Sequence, residues 1–192
     1  MTDAATRASD SATNRLWLPV LILFLAFCLL HAAFGYYFYG LDSFSYGNDD
    51  AFISFRYARN LAEHGVLSYN LSDLPPVEGF SNPLHVALGA VVVLLAGDDA
   101  LYPVMAVAGA AATLGAVVIA ARHLARTTTR EAGLLVALVL VCLPAYWIHA
   151  TSGLETAFVF LFQVILWVAA ARLASDDVPR LRPVLLAALM SA

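Results

Sequence analysis

A series of apolar runs separated by short polar breaks limits what this chain can become. Residues 16–39, 83–96, 101–121, 133 to about 148, and 154–173 carry almost no charge. A helix crosses the roughly 30 Å of bilayer hydrocarbon with about 20 predominantly apolar residues. Four of these five runs approach or exceed that length, so the chain is predicted to be an integral membrane protein. Composition agrees: 61% of residues are hydrophobic, 12% are charged and mean hydropathy is +0.79, whereas soluble domains carry about a quarter charged residues. The predicted fold class is all-α, a multi-pass transmembrane helical protein. The first run, 24 residues long, exceeds the about 7 to 15 residues of a signal-peptide core and lacks a small-x-small cleavage site, so it reads as a retained helix.

Arginine placement sets the expected topology. All ten basic residues are arginine. The run at 83–96 has only 14 residues, short of a full span. If it crossed, Arg122, Arg126 and Arg130 would face outside, against the tendency of basic loops to stay in the cytoplasm. If it is a re-entrant or half-depth helix, then Arg7 and Arg15, Arg122 to Arg130, and Arg172 to Arg182 all face the cytoplasm. The second reading also returns the turn His149-Ala150-Thr151-Ser152-Gly153-Leu154-Glu155 to the outer side. Residues 1–15 read as a disordered cytoplasmic tail, and 16–192 as a transmembrane module with an outer loop at 40–82. The run opening at Val184 reaches Ala192 too soon to span, which predicts a truncated chain or the N-terminal part of a larger protein.

The one long polar segment, 47–82, concentrates the chemistry. Asp42 lies just before it, and Asp49, Asp50, Glu63, Asp73 and Glu78 then accompany Arg56 and Arg59. Asn48 suits an N-cap, and the helix it opens is expected to stop at His64-Gly65. Ala51, Phe55, Ala58 and Ala62 form one stripe of that helix and Asp49, Phe52, Arg56, Arg59 and Glu63 another, so it is expected to lie along the membrane surface. Pro83 is placed to open the short helix that follows.

Each polar candidate has two explanations. Asp49 and Asp50 cap a helix N-terminus favourably, and a carboxylate there can also serve as general base toward a hydroxyl. Arg56 and Arg59 can pair with Glu63 and Asp49, or hold phosphate oxygens in bidentate fashion. Glu78 is either a plain loop acid or, with Phe80 and Asn82, part of a surface for a sugar. Glu155 completes a capping-box pattern with Ser152, and is also an ionisable group at the head of a strongly apolar helix, where a function is the default reading. His85 and His149 read as packing or interface histidines without zinc spacing. Gln163 reads as a helix-to-helix hydrogen bond, and Cys28 and Cys142 as small apolar residues. The acids lie outside the spans, which counts against a transporter or flippase-like subunit; an inactive truncated remnant is a third reading.

Three blocks carry a resemblance: Asp49-Asp50-Ala51-Phe52-Ile53-Ser54-Phe55-Arg56-Tyr57-Ala58-Arg59-Asn60-Leu61-Ala62, then Val77-Glu78-Gly79-Phe80-Ser81-Asn82-Pro83-Leu84, then Ser152-Gly153-Leu154-Glu155-Thr156-Ala157. Their order and spacing resemble the N-terminal part of the polyprenyl-phosphate-dependent glycosyltransferases of the GT-C fold, most closely the terminal β-(1→2) arabinofuranosyltransferase family. The resemblance implies inverting transfer of a sugar, arabinofuranose in that family, from a polyprenyl-phosphate donor to a glycan or glycolipid hydroxyl on the outer face of the cell membrane. It implies Asp49 as catalytic base with Asp50 as neighbour, and Glu155 as the second outer acid. Arg56, Arg59, Glu78 and Asn82 are the expected substrate-binding residues. A divalent cation between Asp50 and Glu155 is compatible but not required. Membrane lipids are expected partners, and nucleic acid is not.

Overall fold

The computed structural model describes residues 18–34, 37, 49–72, 75 and 79–175, with the backbone alone at Asp49 and Ser175. All regular structure among them is helical: α1 (Leu18–Phe34), α2 (Asp49–His64), α3 (Pro83–Ala96), a 3-10 turn (Asp98–Ala100), α4 (Leu101–Thr127), α5 (Arg130–Cys142), α6 (Pro144–Ala150) and α7 (Thr156–Ser175). Two helical stretches, Asp98–Thr127 and Thr156–Ala174, are long and apolar enough to cross a membrane. The bent pair α5 and α6 makes a third if counted as one span. The tail 1–15, Glu78 and the run from Val184 lie outside the described residues.

The central helix is α4. Its buried face, Met105, Gly109, Ala112, Thr113, Ala116, Val117, Ala120 and Ala121, is built mostly of small residues at helical spacing. Lipid offers no hydrophobic drive between helices, so small side chains that let backbones approach supply the packing instead. α5 and α7 flank it, and α1 contributes Val20 and Phe24 to a cluster with Val117, Ala121, Ala137 and Val141. The outer surface of α7 stays apolar and bare, with Phe162, Ile165, Leu166 and Trp167 exposed.

The helix at 83–96 does not run along α4. His85, near its start, is hydrogen bonded to Gly153 O, and Tyr102, in the first turn of α4, to Thr151 O. Both flanks of α3 are therefore tied to one short loop at the same end of the bundle. An antiparallel span would have carried His85 toward the opposite end of α4. The layer made by α2 and α3 closes over Leu101 and Met105, with Leu154 and Phe158 at its edge.

Two expectations are corrected, and one helix is longer than its apolar run. The run 133–148 is not one segment: Thr129 caps α5 by accepting from Ala132 N, and Leu143 breaks the helix with a bend of 66°. Pro144 is the cause, because proline lacks the N–H that would continue the ladder and pushes the preceding residue out of the helical region; Leu143 sits at φ −76°, ψ 119°. The helix opening at Leu101 continues six residues past Ala121, to Thr127. The apolar stripe of α2 is not turned toward lipid, since Ala51, Phe55 and Ala58 are buried in a cluster with Val86, Ala90 and Val93 of α3. The opposite stripe, Phe52, Arg56, Arg59 and Glu63, is exposed as expected.

Close approach of α4 and α5 rests on Gly133. A Cβ there would lie 2.5 Å from Ala121 O and 2.7 Å from Ala125 Cβ. Gly133→Ala should therefore destabilise the bundle by about 1–3 kcal/mol, as overpacking does. At Gly115, where the nearest atom, Leu161 Cδ1, would stand 3.8 Å away, alanine should be neutral or stabilising by up to about 1 kcal/mol through helix propensity. Thermal unfolding of the two variants in one detergent checks the contrast.

Candidate functional site

Ser54, Asn82, His85, Ser152 and Glu155 collect where α2, α3 and the loop 151–155 meet. α2 presents Ser54, buried to 5% exposure, on the face otherwise built from Ala51, Phe55 and Ala58. α3 begins after Asn82, and Pro83 fixes where the chain turns into the helix. Asn82 donates from Nδ2 to Ser54 Oγ at 3.0 Å and to Glu155 Oε2 at 2.8 Å, while Ser54 Oγ donates to Asn82 Oδ1 at 3.1 Å. One side-chain amide thus joins residues from all three sequence blocks.

The loop is held rigidly. Ser152 Oγ donates to His149 O and accepts from Leu154 N, and Gly153 occupies φ +77°, a region costly for residues with a Cβ. Phe55 and Tyr102 press on Gly153, each within 3.3 Å of where a Cβ would stand. α7 starts at Thr156, three residues later than the capping-box reading requires. Glu155 is the residue before the helix, its carbonyl accepting from Phe158 N and Val159 N, so Ser152 and Glu155 do not form that box. The Glu155 carboxylate instead faces Asn82 beside the α7 N-terminus, where the helix dipole favours negative charge. Its Oε1 has no partner among the described residues.

His85 is buried, with Phe55 stacked on one side and Phe158 tilted on another, ring centroids 6.3 and 5.9 Å away. Its contact at 3.0 Å is to a carbonyl, so Nε2 carries the proton. Burial holds its pKa below the usual 6.5, against the opposing pull of the Gly153 carbonyl and the Glu155 charge. This is the packing histidine the sequence suggests.

Asp50, in the first turn of α2, is exposed and takes no partner among the described residues. Phe52, two residues on, stacks on Tyr102 at 6.0 Å, so this turn of α2 sits against the loop-bearing end of α4. Arg56 and Arg59 face a cleft of about 430 Å³ that Asn60, Asn70, Leu71 and Ser72 complete. Arg56 donates from Nε to Tyr69 O at 2.8 Å and lies 4.6 Å over the Tyr69 ring. Arg59 forms a bidentate pair with Asp98, Nε to Oδ1 at 2.7 Å and Nη2 to Oδ2. Neither arginine pairs with Glu63, which instead lies 3.8 Å from His64. Phe80 packs against Tyr57 at 4.7 Å. Among the described residues no three His, Cys, Asp or Glu side chains gather as a metal site requires.

A second recess, about 360 Å³, opens between α4, α6 and α7, with Thr113, Tyr146, His149 and Gln163 set among apolar neighbours. Sequence reasoning did not single out Ser54, Tyr102 or Thr151. Ser54 had a readable signal, a lone hydroxyl within an apolar helical stripe; Tyr102 and Thr151 had none. No protein-family model, curated protein or solved structure matches the chain.

Two outcomes follow. Asn82→Ala leaves Ser54 and Glu155 without their partner and should cost about 1–3 kcal/mol. The double variant Asn82→Ala/Glu155→Ala should cost less than the sum of the singles, read by unfolding in detergent. For His85, the lowered folded pKa means the unfolded chain binds more protons between that value and about 6.5. The stabilisation is complete above about 6.5 and is lost as pH falls below it, so unfolding at pH values on either side should show the slope and His85→Gln should flatten it.

Proposed function

We propose that this chain carries the N-terminal module of a membrane glycosyltransferase. It moves a sugar, arabinofuranose in our reading, from a polyprenyl-phosphate donor to a hydroxyl of a cell-envelope glycan or glycolipid. The observation that supports this reading is the meeting of Ser54, Asn82 and Glu155. Three blocks singled out for their resemblance, with Asn82 and Glu155 73 positions apart and Ser54 farther still, come together at one end of the bundle. Four of the six described arginines, Arg122, Arg126, Arg130 and Arg172, lie on the segments at the other end. By the preference of basic loops for the cytoplasm, the proposed site faces outside and the protein is multi-pass in the plasma or inner membrane.

In this mechanism the acceptor hydroxyl oxygen attacks the anomeric carbon from the face opposite the phosphate. The carbon–oxygen bond to the phosphate breaks, its electron pair leaves with the phosphate, and configuration inverts. The hydroxyl proton passes to a carboxylate of the Asp49-Asp50 pair, which must stand within hydrogen-bond reach. Glu155, fixed by Asn82, is the second acid and orients the acceptor through Oε1. The phosphate gathers negative charge as it leaves, and preorganised donors stabilise it. Arg56 and Arg59 supply them, since their internal bonds use Nε and Nη2 and leave the Nη1 hydrogens for phosphate oxygens.

Transfer of radiolabelled sugar from a polyprenyl-phosphate donor, in membranes carrying the gene in its longest open form, tests the reading. Asp49→Asn or Asp50→Asn should lower the rate by about 10²–10⁴ while insertion is unchanged. Full activity in both variants would move the base to Glu155 or Glu78. No transfer from any polyprenyl donor would sink the glycosyltransferase assignment in favour of a transporter or an inactive remnant.

A further inference from the structure

The recess of about 360 Å³ between α4, α6 and α7 brings together Thr113, Tyr146, His149, Thr156 and Gln163 from three helices. From it we infer that the chain binds a lipid with an uncharged, hydroxyl-bearing headgroup, of the kind a monoglycosyl diacylglycerol carries. The volume falls in the range of small-molecule sites, roughly 300–1,000 Å³. α4 and α7 are both long and apolar enough to cross a membrane, so the recess lies along a span. Thr156 opens α7, and Gln163 stands about 10 Å further along at 1.5 Å per residue. The recess therefore runs from the end of the span into the hydrocarbon layer.

These polar groups have no partners in the chain. Among the described residues none of the five side chains makes a hydrogen bond, and His149 Nδ1 is buried without one. Thr113 is 2% exposed on the inner face of α4, and Gln163 stands exposed on α7, without the helix-to-helix bond expected of it. Polar groups left unpaired in hydrocarbon are costly. Headgroup hydroxyls both donate and accept, so they suit threonine, tyrosine, imidazole and amide alike. Among the described residues no Asp, Glu, Lys or Arg lines the recess, and Glu155, one residue before Thr156, gives its carboxylate to Asn82. A headgroup phosphate would find no cation there, so the headgroup is uncharged. Val159, Gln163 and Leu166 share one face of α7, and past Gln163 that face is bare and apolar, with Phe162 and Leu166 exposed. An acyl chain follows this surface, from which a free sugar gains nothing. None of the lining residues takes part in the bonds among Ser54, Asn82 and Glu155, and the inference does not rest on the transferase reading.

The test uses the full chain in an amine-oxide detergent, whose headgroup carries no hydroxyl. Short-chain monoglucosyl diacylglycerol, short-chain phosphatidylglycerol and methyl glucoside are titrated separately, reading the shift in unfolding temperature. The glucosyl lipid should raise it saturably, and the other two should not. Gln163→Leu/Tyr146→Phe should weaken the apparent affinity for the glucosyl lipid about 25-fold, from a loss of roughly fivefold per hydrogen bond. No shift with the glucosyl lipid, an equal shift with phosphatidylglycerol or methyl glucoside, or undiminished affinity in the double variant would each overturn the assignment. So would a dimer of the unsubstituted chain that Gln163→Leu dissociates, which would give this surface to a second copy. The comparison of ligands on the unsubstituted chain decides the matter even if the double variant fails to fold.

Discussion

Asn82 has one side-chain amide, and α2, α3 and α7 meet through it. Its bonds to Ser54 and Glu155 fix how the layer of α2 and α3 is set against the long helices. A half-buried carboxylate without donors carries a large desolvation penalty, and a buried serine without a partner a smaller one. Asn82 offsets both, using a group that both donates and accepts. His85 and Tyr102 add bonds to the same loop through Gly153 O and Thr151 O, so the three connections reinforce one another.

This arrangement explains why α3 is short. A helix of 14 residues is about 21 Å long, too little for the hydrocarbon layer but enough to lie across the end of α4 and cover α2. The bilayer demands that every buried backbone group find a partner within the protein, and a capping layer meets that demand where four chain segments change direction. Among the described residues the far end of the bundle has no such layer. There α4 ends in Arg126 and Thr127 and α5 opens at Arg130, side chains suited to water.

Much of this was legible from residue spacing. Helix α2 begins at Asp49 and ends at His64 because a polar start and a glycine stop bracket a clear apolar stripe, and α3 follows Pro83 for the same kind of reason. The return of 149–155 to the polar segment followed from the length of one apolar run and the placement of arginines. What spacing could not reveal was which surface covers an apolar stripe: Ala51, Phe55 and Ala58 look identical whether α3 or lipid faces them. Nor could it show that Glu155 precedes its helix, since a three-residue shift in the start converts a capping box into a side chain directed at Asn82. Hydropathy averages likewise passed over Leu143, because one proline changes direction without changing polarity. Arg59 and Asp98, 39 positions apart, could be paired only in three dimensions.

The bend at Leu143 has a mechanical side. A straight span must tilt as a whole when the surrounding bilayer thins or thickens, and any group on its end moves with it. Here α6 and the loop 151–155 are joined to α5 only through a non-helical residue, yet are bonded to Asn82, His85 and Tyr102 on the other side. A change in the direction of α5 can therefore be taken up at the hinge, while the bonds from Asn82, His85 and Tyr102 hold Glu155 where the capping layer sets it.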